Sequence, residues 1–337
     1  MPVDTIQIRT SDKIVWNREQ IVADTAYSMS QQHDIVFDLF NEGPCWESLE
    51  IEPLVLAMAK KFQYDLEKIT VLSSNLVKAQ SQFRFQFTGV QHLVQMAKTN
   101  WFPKYQKNQE LKHFALFIRR SNAPRMYLAN YLDQRHWDQT CLSYHFKNHI
   151  NFHRDNIGLE DLYRDFNIEN LTDYARFLST CPRLIEGNEL VDLDNVKCTN
   201  DFLAADRELL IDQYKKFFVE IVCETCYSGR AFFPTEKIWR PIMMKVPFIV
   251  QGPQNFLQNL RTLGFKTFDQ WWDEGYSEDP TSYQITAITD IIEGISKKSN
   301  QDLHLMYQEM QPILQHNLDV FNSLTAEKFS KLYEQQQ

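Results

Sequence analysis

The sequence predicts an α/β protein built from two successive parallel-sheet domains. Three observations carry this. Short apolar runs recur along the 337-residue chain and close on turn residues. Segments with apolar residues at helical spacing separate those runs, and this alternation belongs to a parallel sheet. The pattern also restarts near residue 110, and a chain of this length suits two domains better than one core. The expected division is 1–110 and 111–337.

In the first block, residues 35–40 (IVFDLF) read as a strand that stops at the turn Asn41-Glu-Gly-Pro. Residues 49–62 then place Leu54, Leu56, Ala57 and Met58 at helical spacing. Residues 68–72 (KITVL) form a second strand, closing on Ser73, Ser74 and Asn75. A further strand and helix are expected within 84–102.

The second block opens with a strand at 113–118 (HFALFI), a loop at 119–124 and a helix at 125–134. A strand follows at 140–144. Residues 145–200 are polar and irregular, and read as insertions with short helices. Residues 217–222 (FFVEIV) form a strong strand, followed by a loop at 226–234 and a helix at 235–244. Residues 247–251 (PFIVQ) form another buried strand. A helix at 255–263 stops at Gly264, which suits a helix C-terminus. Residues 266–268 read as a last short strand, and the chain from Tyr283 onward is mostly helical. Ligands in sheets of this kind bind beyond the carboxyl ends of the strands, and the cleft between two such domains is the expected pocket.

Composition narrows the function classes. The formal net charge is −9, which disfavours a broad electrostatic grip on nucleic acid. A local basic pocket for phosphate is compatible with that balance. The six cysteines are scattered and form no dense framework, as in a reducing compartment. The N-terminal MPVDTIQIRTSDK has no apolar run to serve as a leader. No stretch reaches the ~20 apolar residues of a membrane span. A cytoplasmic protein is the expectation.

The richest segment is FFVEIVCETCYSGRAFFPTEKIWRPIMMKVPFIVQG, residues 217–252. A strand ends at Glu224, a loop carries Gly229 and Arg230, and Pro234-Thr-Glu-Lys opens a helix. Thr235 suits the N-cap, and Glu236 in the first turn complements the helix dipole. A helix N-terminus at the end of a sheet strand is an anion site for phosphate. Lys237 and Arg230 supply full positive charge for a diphosphate, and Glu236 can accept hydrogen bonds from ribose or sugar hydroxyls. The same residues also fit an ordinary charged helix start on the surface.

This segment resembles the donor-binding motif of the family 10 glycosyltransferases, the α-1,3/4-fucosyltransferases. Glu224, Phe233, Thr235, Glu236, Lys237, Pro247 and Gly252 stand at the matching places. Phe233 replaces the family's Tyr, and Thr225 replaces the Asn after Glu224. The following residues 253–278 (PQNFLQNLRTLGFKTFDQWWDEGYSE) resemble C-terminal segments of related, often phage-encoded, proteins. The resemblance implies the GT-B architecture of two facing Rossmann-like domains. It also implies transfer of a sugar from a nucleotide-sugar donor to an acceptor hydroxyl, with inversion, with no cofactor and without a required metal. In the family, the Glu and Lys of this motif contact the nucleotide sugar, which points to Glu236 and Lys237. An Arg after a strand contacts donor phosphate there. Arg125 is the preferred counterpart, with Arg119 and Arg120 as alternatives, and Arg offers a planar fork to phosphate oxygens.

An inverting transferase needs a base for the acceptor hydroxyl. Glu42, in the turn after the first strand, is the candidate, with Asp38 and Glu47 as rivals. The acceptor classes the sequence admits are a cell-surface glycan, a protein and a modified nucleobase on DNA. Asp192 and Asp194 match the Asp-x-Asp of metal-dependent GT-A transferases, a different reading of the same activity. Cys223 and Cys226 form a lone CxxC without the second pair of a zinc site. His145, His149 and His153 recur every four residues with no His-Glu-x-x-His motif. Trp271 and Trp272 read as packing residues that also offer a face to a sugar or a base.

Overall fold

In a computed structural model, residues 2–9, 18–40, 45–88, 103–118, 123–144, 204–227 and 229–335 are described. They fall into two compact units. The first draws on Met1–Val94, Ser228–Phe233 and Thr325–Gln337, and the second on Gln95–Tyr227 and Pro234–Leu324.

The first unit contains β1 (Val3–Arg9), α1 (Arg18–Ser30), β2 (Asp34–Phe40), α2 (Glu52–Phe62), β3 (Ile69–Ser73) and β4 (Arg84–Phe87). The four strands lie in the order β1-β2-β3-β4, every neighbour parallel. The sheet therefore grows in one direction only. Its core gathers Ile35, Phe37, Val55, Ile69 and Val71 around Trp46, whose indole N–H donates to Glu52 at 2.6 Å. Phe83 and Phe85 meet Trp46 edge-on, at 5.9 and 5.8 Å between ring centroids.

β1 and α1 are absent from the sequence expectation, and for α1 the reason is physical. α1 turns hydroxyls inward: Thr25 and Ser28 are buried and donate to the carbonyls of Ile21 and Asp24, one turn back. Satisfied in this way, they occupy core positions while breaking the apolar stripe that betrays a helix.

The second unit holds β5 (Lys112–Ile118), α3 (Ala123–Arg135), β6 (Thr140–Tyr144), α4 (Ala204–Tyr214), β7 (Phe217–Cys223), α5 (Glu236–Met243), β8 (Phe248–Gln251) and α6 (Phe256–Thr262). Two long helices follow, α7 (Thr281–Ser296) and α8 (Asn300–Asn322). Its sheet is again parallel, in the order β6-β5-β7-β8. Every residue of β7 is buried, so both its faces are covered and the strand reads as a continuous apolar run. The last helix, α9 (Ala326–Glu334), belongs to the first unit, where Tyr333 stacks on Phe87 at 4.8 Å. Both units are thus Rossmann-like α/β arrangements. Among the described residues no helix is long and apolar enough to cross a membrane.

The expected strand at 266–268 is not formed. The backbone of Lys266 instead bonds a side chain of α8: its N–H donates to Asn317 Oδ1 and its carbonyl accepts from Asn317 Nδ2, both at 2.8 Å. Asn317 is 1% exposed, so a buried amide takes the place of a neighbouring strand. Gly264 closes α6 as expected, at φ 99°, with the Phe265 N–H returning to the Leu260 carbonyl.

Candidate functional site

In the second unit the chain leaves β5 for β6 on one side, then returns to the other side for β7 and β8. The order reverses between β5 and β7, and the carboxyl ends of strands flanking such a reversal form the crevice where ligands bind. β7 ends at Cys223, and the Glu224 N–H extends the ladder by one bond, to the Gln251 carbonyl at 2.9 Å. The first residue past the strand at the reversal is therefore an acid.

Glu224 is 2% exposed. Its carboxylate accepts from the Thr235 hydroxyl at 2.6 Å and from the Thr235 N–H at 3.4 Å. The same hydroxyl accepts from the Lys237 N–H at 3.3 Å, which makes Thr235 the N-cap of α5, with extended backbone at φ −93° and ψ −179°. Strand end and helix start are thus bound together by one threonine. Burial pushes the Glu224 carboxyl up to about 7, against the pull of the Lys237 ammonium and the Thr235 hydrogen bonds. The group gains or loses its proton near neutral pH.

Lys237 is buried, and its ammonium rests on the Glu236 carboxylate at 2.8 Å. It does not trail into bulk water. Arg125, near the start of α3, is 4% exposed and donates to the Cys223 carbonyl at 3.0 Å. A guanidinium, an ammonium and two carboxylates are therefore set around the carboxyl end of β7 and the beginning of α5.

A deeper set holds α5 on β7, and the sequence reading missed it. Glu220 and Arg240 are 1% and 2% exposed, with Arg240 Nη2 at 2.5 Å and Nε at 3.2 Å from Glu220 Oε1. Tyr214 donates its hydroxyl to Glu220 and accepts from Arg240 Nε at 2.8 Å. Arg240 also lies over the Phe117 ring, 5.4 Å from its centroid. The available signal was Glu220 itself, an acid inside FFVEIVC, because a charge in a wholly buried strand requires a partner.

Arg230 and Phe233 belong to the first unit. There Asn75 holds their segment: its Oδ1 accepts from the Phe232 N–H at 2.7 Å, and its Nδ2 donates to the Arg230 carbonyl at 3.4 Å. The Leu76 N–H adds a bond to the Phe232 carbonyl at 2.9 Å. The Phe233 ring is buried and the Arg230 side chain is exposed. Glu42, Arg119, Arg120, Asp192, Asp194, His145, His149 and His153 lie outside the described residues. Of the rivals to Glu42, Glu47 already accepts from the Gln80 N–H at 2.9 Å and from the Cys45 thiol at 3.0 Å. Asp38 is half-buried within β2. Among the described residues no three His, Cys, Asp or Glu side chains gather as a metal site.

No protein-family model matches the chain, and no curated protein matches it.

Proposed function

We propose that the second unit binds a nucleotide sugar by its diphosphate at the start of α5, and that the protein transfers the sugar to an acceptor hydroxyl in a GT-B arrangement. The observation that carries this is the cluster at the sheet's order reversal: Glu224, Thr235, Glu236 and Lys237 around a capped helix start, with Arg125 beside them. Lys237 and Arg125 supply charge to the phosphates, and the first-turn N–H groups add the positive end of the helix dipole. Glu236 accepts from ribose or sugar hydroxyls.

In the transfer, the acceptor oxygen bonds to the anomeric carbon as the bond from that carbon to the phosphate oxygen breaks. The electron pair leaves with the nucleoside diphosphate, and the acceptor proton passes to a base, for which Glu42 is the candidate. The cations at the start of α5 stabilise the negative charge that develops on the leaving group. Their buried setting strengthens that interaction relative to bulk water.

Calorimetry with GDP-, UDP-, ADP- and CMP-sugars tests the binding step. One donor should bind, and Lys237→Ala should weaken it by about tenfold or more, the loss of one charge-assisted contact. Absence of binding by every donor to the wild-type protein would refute the reading. A second reading, binding without transfer, is favoured by Phe233, which lacks the hydroxyl that the resembling motif carries. Donor hydrolysis, followed by mass spectrometry over an acceptor panel, separates the two.

A further inference from the structure

A second place in the same unit has its own chemistry. α7 sets Ala287, Asp290, Ile291 and Gly294 at the i, i+3, i+4 and i+7 positions of one face, along a hollow of about 470 Å³. Trp271 and Trp272 line it from the loop before α7. The volume falls in the small-ligand range of roughly 300–1,000 Å³.

Both indoles are already fixed. Trp272 is 7% exposed and packs on Phe268 at 5.4 Å, and its buried N–H has no acceptor among the described residues. Trp271 donates its indole N–H to Glu309 at 3.3 Å. Rigid aromatic walls lose little entropy when a guest arrives. The floor is kept low by Gly294, where an added Cβ would meet nothing within 4 Å. Around this apolar trough stand Asp273, Asp290 and Lys298, all exposed.

We propose that this hollow binds a neutral carbohydrate, one pyranose ring against the Trp271–Trp272 wall and its hydroxyls on Asp273, Asp290 and Lys298. A sugar ring has an apolar face for the indoles and hydroxyls that both donate to carboxylates and accept from an ammonium. A phosphorylated ligand would meet two carboxylates against one lysine, and a simple amine would leave the Lys298 ammonium without an acceptor. The neutral polyol satisfies all three charged groups. The site stands apart from the nucleotide reading above and survives its failure.

Saturation-transfer NMR on the full chain with maltose, lactose and cellobiose tests it. At least one disaccharide should show transfer, with about millimolar affinity. Trp271→Ala should weaken that binding about tenfold. Gly294→Leu, which fills the trough while favouring the helix, should abolish it. Lys237→Ala should leave it unchanged. Absence of transfer from all three sugars overturns the proposal. So does a signal that survives both Trp271→Ala and Gly294→Leu, or one that Lys237→Ala removes while Gly294→Leu spares it.

Discussion

Replacing Glu224 with glutamine should change how stability depends on pH. In the folded protein burial holds this carboxyl at about 7, whereas an ordinary glutamate titrates near 4.5. The folded state therefore keeps a proton that the unfolded chain releases between those values. The sign follows: stability from this group is fully present below about 4.5 and is lost as pH rises through about 7. At about 1.4 kcal/mol per pKa unit, complete ionisation costs roughly 3.4 kcal/mol. Some of that has already been lost at about pH 5, so roughly 2.5 kcal/mol is the change expected between about pH 5 and about pH 8. Glutamine has nearly the shape of the protonated acid, does not titrate, and keeps an oxygen for the Thr235 hydroxyl. Urea unfolding of both proteins across that range is the assay. The stability of Glu224→Gln relative to wild type should rise by about 2.5 kcal/mol from the acid to the alkaline end. Two curves that stay parallel would refute the claim that Glu224 titrates in a buried site, because every other group is common to both proteins.

Other expectations follow from single contacts. Arg240→Met should cost about 3–5 kcal/mol in urea unfolding by leaving Glu220 charged and buried, and adding Glu220→Leu should recover most of that loss. Thr235→Val removes both the cap of α5 and the hydroxyl donor to Glu224, and should cost about 1–2 kcal/mol by the same measurement. Asn75→Ala strips the acceptor from the buried Phe232 N–H and should cost about 1–3 kcal/mol. Hydrogen exchange at Phe232 should accelerate in that variant, whereas exchange along β7 should not.

The site was partly legible because helix starts are written locally. Thr235 caps α5 through its own hydroxyl to an N–H two residues on, and that information sits within Pro234-Thr-Glu-Lys. Glu236 and Lys237 lie in the same local window and form an adjacent ion pair. It had no means of finding what crosses the chain. Arg125 reaches the Cys223 carbonyl from 98 positions away, and Asn75 clasps a segment more than 150 positions downstream. Arg230 and Phe233 stand within five residues of Thr235, and it is Asn75 that holds their segment in the first unit.

Sequence alone determined the buried strands of both sheets and most of the helices between them. A strand covered on both faces, as β7 and β8 are, has to be apolar throughout, whereas β2 and β3 alternate buried and half-buried positions within short runs that turn residues close, so β2, β3, β5, β7 and β8 announce themselves. Tertiary structure decided the rest, wherever a polar group was satisfied by a partner far along the chain or one helical turn back. Thr25 and Ser28 enter the core by bonding their own helix, Asn317 replaces a strand at Lys266, and Glu220 is tolerated in β7 because Arg240 and Tyr214 meet it. In each case the cost of burying a polar atom is cancelled by a specific partner, and composition and periodicity do not encode which partner the fold supplies.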